Sequence, residues 1–199
     1  MLADLTLLRG AAAYAALTDL ERLATLVPLS PTLADRAALA DAVAESYGGY
    51  RATLARFDHT ADPAAAMSPG PAVLDEAERR LATTDWWEAL AGACLRPALT
   101  GELFGALLDE PQPPADQPRD ETGPGAPAAA RWAAERLRTA AQDDPVLRAR
   151  LAMWSRRLVG EYIVLAQRIA GERYPELAER LAVAHRGRLV ALALAEPEN

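Results

Sequence analysis

The hydrophobic positions along the chain follow a helical pattern over most of its length, most clearly between residues 150 and 173. Apolar side chains recur here at alternating steps of three and four residues, which places them on one face of an α-helix: Leu147, Leu151, Trp154, Leu158, Tyr162, Leu165 and Ile169. The arginines of this stretch fall mostly off that face, where their charged heads can stay in water. One long amphipathic helix is predicted, with Trp154, Leu158 and Leu165 buried.

Six more helices are predicted from the same periodicity and from start and stop signals such as capping residues and prolines in the first turn. They cover residues 2–26, 31–57, 71–81, 86–108, 127–141 and 175–194. No segment alternates apolar and polar residues at period two, so no strand is predicted. Residues 1–199 are therefore expected to form one all-α domain, with four long antiparallel core helices and additional short and C-terminal helices.

Four local features modify this arrangement. Ser30 is predicted to cap the second helix. Gly48 and Gly49 lie in the middle of that helix at a cost of about 1 kcal/mol each relative to Ala, so a weak or kinked turn is expected there. Pro97 removes one backbone hydrogen bond from the third long helix and predicts a kink. Residues 109–125, rich in Pro, Gly and charge, are predicted to form an exposed, mobile loop, the least ordered internal segment.

Composition and charge restrict the classes of partner. Asp and Glu number 28 against 21 Lys and Arg, which gives a net charge of −7, and every basic side chain other than histidine is Arg. An acidic surface repels a phosphate backbone, which argues against a nucleic-acid partner. The single cysteine, Cys94, excludes an intrachain disulfide and is interpreted as a small buried hydrophobic residue. No apolar run approaches the ~20 residues of a membrane span, and no basic segment precedes an apolar one at the N-terminus. A soluble, cytoplasmic protein without a membrane partner is expected.

Four motifs, in their order and spacing, carry a family resemblance. They are L-L-x-x-A-A-x-Y-A-A-L-T-D-L-E-R-L at residues 7–23, P-T-L-A-D-R-A at 31–37, D-W-W-E-A-L at 85–90 and W-S-R-R-L-x-G-E at 154–161. Together they resemble the actinobacterial ferritin-like proteins of the tRNA-hydroxylase-like (tRNA-(ms2io6A)-hydroxylase-like) family, whose last core helix carries the fourth motif. The resemblance spans residues 7–169. It implies a ferritin-like antiparallel four-helix bundle, with a carboxylate-bridged di-iron site in the relatives that activate oxygen.

The residues at the positions that correspond to the family's di-iron ligands are not metal ligands in this chain. A di-iron site of this kind takes a carboxylate from each of two helices and a Glu-x-x-His pair from each of the other two. The corresponding positions hold residues that cannot bind iron: Ala16, Ser46, Gly49, Pro97, Ala126 and Ala129. We therefore expect a bundle centre that contains no metal and is dry or nearly so. Small residues would let the helices pack closely there, and the remaining volume would be filled by Tyr47, Tyr50 and Trp132.

Other candidate ligands are few. His59 is interpreted as an exposed turn residue and His185 as a solvated helix residue, and neither follows a Glu at the third preceding position. An inward-facing Glu is considered at three positions, Glu21, Glu102 and Glu161. Glu161 borders the apolar face of its helix and is expected to pair with an arginine, because buried carboxylates are usually paired.

The remaining charged feature is a set of four arginines, Arg148, Arg150, Arg156 and Arg157. A solvated helix face is the preferred interpretation, and a phosphate-binding face is the alternative. No catalytic, cofactor-binding or metal residue is predicted.

Three functions are compatible with the sequence. The first is a catalytically inactive, metal-free bundle with an interaction or assembly role, through an unknown protein partner or self-association. The second is an oxygen-dependent di-iron hydroxylase acting on modified tRNA or a small molecule, with ligands not yet placed. The third is a bundle that keeps a pocket for an apolar ligand, without chemistry.

Overall fold

A computed structural model describes residues 5–57, 62–83, 85–111 and 128–195. These segments hold eight α-helices and no strand: α1 (Leu5–Leu26), α2 (Leu33–Leu54), α3 (Pro63–Met67), α4 (Gly70–Arg80), α5 (Trp86–Leu107), α6 (Ala128–Asp143), α7 (Pro145–Ile169) and α8 (Tyr174–Ala191). The predicted all-α class is confirmed. That all 199 residues form one domain stays a prediction, and of the predicted loop 109–125 only residues 109–111 lie in the described part.

Side-chain caps fix where several helices begin. Thr32 caps α2 by accepting a hydrogen bond from the Asp35 amide. The predicted cap at Ser30 is wrong, because the Ser30 hydroxyl turns back to donate to the Val27 carbonyl at 2.8 Å. Asp85 caps α5 and Asp144 caps α7, both by accepting from backbone amides in the first turn. Each cap satisfies amide donors that have no partner inside the helix.

Four long helices surround a common centre in the cyclic order α1, α2, α6, α5. Each packs against its two neighbours in that order. The contacts of Asp35 with Arg136 and of Glu45 with the Ala129 amide show that α2 and α6 run antiparallel. Leu26, Leu39 and Ala42 form a small apolar cluster that joins α1 to α2 at one end of this centre.

A second layer lies on the opposite face of α5. α7 and α8 pack against each other and against α5, and α4 packs between α1 and α7. The predicted burial of Trp154, Leu158 and Leu165 is confirmed, and these residues belong to the main hydrophobic core. α5 is therefore covered on both sides, which explains why it is the helix with most buried residues among those described.

Tyr47 of α2, which was expected to fill volume at the bundle centre, lies at the surface and is 52% exposed. In the described part of the chain α2 packs mainly on α1, α6 and the turn that precedes it, and Tyr47 is left largely exposed to solvent. α5 continues through Pro97 to Leu107. No helix in the described segments is long and apolar enough to span a membrane.

Candidate functional site

A cavity of about 870 Å³ occupies the centre between α1, α2, α5 and α6. The side chains that line it are mainly small or apolar. Each of the four helices places alanines at the centre, and these are too short to meet across it. The apolar part of the lining includes Ala12, Ala16, Leu23, Leu39, Ala42, Leu90, Ala93, Cys94, Pro97, Ala98, Ala129, Trp132 and Ala133. No residue of α7 lines it, so the helix that carries W-S-R-R-L-x-G-E belongs to the outer layer and not to the wall of the centre.

The positions matched to the family's metal ligands come together at this cavity. Five of them line it, namely Ala16, Ser46, Gly49, Pro97 and Ala129, and Ala126 lies outside the described residues. The resemblance therefore located the centre correctly. The expectation that the helices pack closely there is wrong, since the small residues leave an open volume.

The cavity stays open because the surrounding structure relaxes only partly around missing side-chain volume. A Cβ atom built at Gly49 would meet no atom within 4 Å. Tyr50 and Trp132 line the cavity without filling it, and Tyr47 turns out to solvent. α5 also packs against α7 and α8 on its other face, so a shift of α5 toward α2 would cost contacts with that layer.

The residues present do not fit a di-iron site. Four carboxylate residues line the cavity, Asp19, Glu45, Glu102 and Glu110. Three of them are paired with arginines, and Glu45 accepts a hydrogen bond from the Ala129 amide at 3.2 Å. Within the described ranges, no three His, Cys, Asp or Glu residues are grouped so that they could hold a metal ion. The donor set of such a site, several carboxylates and two histidines facing one point, is not assembled from these residues.

A polar cluster crosses the cavity wall where α1, α4 and α5 meet. The Asp19 carboxylate accepts from Arg22 at 3.1 Å, Arg22 also reaches Glu78 at 2.8 Å, and Glu78 pairs with Arg96 at 3.2 Å. Burial, together with the nearby Glu78 charge, raises the pKa of Asp19 to about 7, although the Arg22 and Arg96 charges oppose the shift. A carboxyl group at the wall of an apolar cavity is therefore half ionised near neutral pH.

Arg96 fastens this cluster to the outer layer. Its guanidinium lies 5.4 Å from the centre of the Trp154 ring and donates to the Leu81 carbonyl at 2.9 Å. Burial lowers the pKa of Arg96. Next to it, the hydroxyls of Thr100 and Tyr162 are 3.0 Å apart, and burial strongly raises the pKa of Tyr162.

Glu102 is the buried acid of the centre. Its carboxylate accepts from Arg180 at 2.8 Å and from Arg188 at 3.1 Å, which ties α5 to α8. The other two acids considered from the sequence lie elsewhere. Glu21 is exposed. Glu161 pairs with Arg80 at 3.5 Å, in agreement with the expectation that it pairs with an arginine.

His185 is buried, and its interpretation as a solvated residue is wrong. It is only 3% exposed, on the face of α8 that carries Leu177 and Leu181. Burial, together with the Arg188 charge, lowers the pKa of His185 to about 4, although the hydrogen bond with the Ser155 backbone partly opposes this. His185 is therefore neutral at physiological pH. His59 lies outside the described residues.

The four arginines of α7 are exposed, in agreement with a solvated face. Arg150 pairs with Asp85, and Arg157 donates to the Arg80 carbonyl, so two of the four side chains help to fasten α7 to its neighbours. Cys94 is half-buried against the core and also lines the cavity.

Sequence reasoning overlooked Asp19, which the structure places at the cavity. A signal was present, because Ala12, Ala16, Asp19 and Leu23 follow the alternating steps of four and three residues that mark one helix face. An acid within an otherwise apolar face is a candidate for a buried or functional group.

The family model described as "Ferritin-like domain, actinomycetes" matches residues 2–184. The matched range includes all four helices around the cavity. No curated protein matches the chain.

Proposed function

Because the chain belongs to the actinomycete family of ferritin-like domains, we propose that it keeps the family's bundle as a metal-free container that binds a small, largely apolar molecule. The observation that carries this proposal is the cavity of about 870 Å³ at the centre of the bundle. Small-molecule sites have volumes of roughly 300–1,000 Å³ and mostly apolar walls with a few polar groups. Both properties describe this cavity.

Binding without chemistry is favoured over the alternative of an oxygen-dependent di-iron hydroxylase acting on modified tRNA or a small molecule. That reaction would need iron ligands from outside the described residues, because those around the cavity do not form the required set. Iron content, measured by mass spectrometry on protein made in iron-replete medium, tests this choice. One or two iron atoms per chain would favour the hydroxylase and overturn the proposal.

Adjacent glycines provide the sharpest test of binding. Gly49 lines the cavity and Gly48 does not, yet a Cβ at either position would meet no atom within 4 Å. Gly49→Trp should therefore fill the cavity, and Gly48→Trp should add the same side chain outside it. We expect Nile red, a neutral apolar fluorophore, to bind the wild type and Gly48→Trp, and to bind Gly49→Trp at least tenfold more weakly. Equal binding by the two variants, or no binding by the wild type, would contradict the proposal.

Self-association is a second candidate, supported by one observation on α7. Val146 and Met153 are 78% and 67% exposed, and they align with the exposed Val164 on one face of the helix, at spacings of seven and eleven residues. Arg150 and Arg157 are exposed on the same face between these apolar residues, so a contact between two copies here would combine the apolar side chains with the aliphatic parts of the arginines. Sedimentation velocity of the wild type and of Met153→Asp tests this candidate. A monomeric wild type would exclude it, and a dimer that Met153→Asp dissociates would support it.

A further inference from the structure

We propose that the molecule bound in the cavity carries a protonated amine on an apolar body, and that Asp19 and Thr100 receive this amine. The inference rests on the proposed binding function and names the chemical class of the ligand. Asp19 and Thr100 both line the cavity and both offer oxygen acceptors to it.

Asp19 lines the cavity and has acceptor capacity left. One carboxylate oxygen accepts from Arg22 at 3.1 Å, and the other makes no hydrogen bond with any residue in the described segments. The Thr100 hydroxyl, which contacts Tyr162 at 3.0 Å, lines the same cavity. Asp19 and Thr100 also line one small void of about 10 Å³, so the two side chains are close neighbours.

The wall favours a donor over an acceptor as the head group. An alkylammonium has three N–H donors and no acceptor, which matches a carboxylate oxygen and a hydroxyl oxygen. Of the charged residues that line the cavity in the described segments, four are acidic and two, Arg56 and Arg188, are basic; Arg22 and Arg180, which are not part of the lining, pair with two of the acids, Asp19 and Glu102. The net charge of −7 also attracts cations toward the protein. A carboxylate head group would meet repulsion from Asp19.

The ionisation of Asp19 is linked to this binding. The charged and titratable groups around it are Arg22 on α1, Glu78 on α4, Arg96 on α5 and Tyr162 on α7. Burial holds the pKa of Asp19 near 7, and an ammonium beside it favours the ionised form. Binding an amine near pH 7 therefore releases a fraction of a proton from Asp19, whereas binding an alcohol releases less.

The experiment compares three molecules with the same tail: octylamine, octanol and octanoate. Binding is measured by displacement of Nile red and by calorimetry at pH 8, where Asp19 is mostly ionised. We expect octylamine to bind at least tenfold more tightly than octanol, and octanoate to bind most weakly. Asp19→Asn should reduce the preference for the amine to less than threefold while octanol binding stays unchanged. Asp41→Asn, an exposed position of α2 away from the cavity, is the matched control and should keep the preference.

Two further measurements keep the inference testable if Asp19→Asn fails to fold. Thr100→Val should weaken octylamine binding about threefold or more, and wild-type calorimetry at pH 7 in two buffers of different ionisation enthalpy should detect proton release with octylamine. Equal binding of all three molecules, tighter binding of octanoate, or octylamine binding without proton release would overturn the inference and leave the proposed binding function standing. Failure of Nile red and all three molecules to bind would instead overturn the proposed function.

Discussion

Arg136 and Asp35 join three helices at one end of the bundle. The Arg136 Nε atom donates to the Asp35 carboxylate at 2.9 Å, and the guanidinium lies 5.2 Å from the centre of the Trp87 ring. Asp35 also accepts from the Thr32 hydroxyl at 2.8 Å. The start of α2 is therefore fixed to α6 and α5 by one planar side chain, and the hydrogen bond from Arg136 lowers the pKa of Asp35.

Replacing Arg136 by Lys should destabilise the protein by about 1 kcal/mol, because Lys keeps the charge but loses both the fork geometry and the stacking on Trp87. The free energy of unfolding in urea checks this expectation. Arg138→Lys is the control, since Arg138 pairs with the exposed Glu135 of its own helix and surface pairs contribute little. A loss in Arg138→Lys as large as in Arg136→Lys would contradict the role given to Arg136.

Glu102→Gln should destabilise the protein by about 3 kcal/mol, since removing one partner of a buried ion pair leaves the other charge poorly compensated. Glu102 lies between Arg180 and the buried Arg188. Thermal and urea unfolding of Glu102→Gln would be compared with Glu135→Gln, an exposed acid that pairs within its own helix. A change of less than about 0.5 kcal/mol in Glu102→Gln, the range of ordinary surface substitutions, would show that the pair does not stabilise the fold.

His185 should make the stability pH-dependent. Its pKa is lowered from 6.5 to about 4 in the folded state, so its contribution is fully present above pH 6.5 and is lost as the pH falls through about 4. The wild type should therefore lose up to about 3 kcal/mol relative to His185→Gln between pH 7.5 and pH 4. Urea unfolding of both proteins at several pH values measures this difference, and the carboxyl groups common to both cancel. Stability curves that stay parallel over this range would rule out a buried neutral histidine.

Gly49→Ala and Gly10→Ala should have opposite effects. At Gly49 a methyl group meets open space within a helix, so higher helix propensity should stabilise the protein by about 0.5–1 kcal/mol. At Gly10 the added carbon would lie 1.9 Å from the Ala66 carbonyl oxygen of α3, so α1 and α3 must separate and stability should fall by more than about 1 kcal/mol. The two melting temperatures measure these effects. A shift of the same sign for both variants would contradict the described packing.

The helices could be predicted from the sequence because the inward face of a helix repeats apolar residues at steps of three and four positions, a pattern that is local in sequence. All seven residues predicted on the inward face of α7, from Leu147 to Ile169, are buried. The residue that caps a helix was harder to predict. Ser30 and Thr32 both precede the second helix, and the Ser30 hydroxyl is bonded to the turn at Val27–Leu29, which leaves Thr32 as the cap.

The centre of the bundle could be located from the sequence, but its packing could not. Small residues at Ala16, Gly49 and Ala129 are compatible both with helices in close contact and with an open volume. The outcome depends on contacts between residues far apart in sequence, such as the packing of α5 against the outer layer and the Asp35–Arg136 contact across 101 positions. His185 was misjudged for a similar reason: its charged neighbours in sequence suggested solvent, whereas α7 covers it through Ser155.

α5 packs against other helices on both faces, whereas α2 lines the cavity with one face and is exposed to solvent on the other. Substitutions in α5 must satisfy two sets of neighbours at once, so few should survive selection for a folded protein. Substitutions in α2 meet fewer constraints, and those at Ser46, Gly49 and Thr53 alter the shape of the cavity directly. Among homologous proteins, α2 should therefore vary in size and polarity at these positions while α5 stays nearly constant, so that new ligands can be acquired without rebuilding the scaffold.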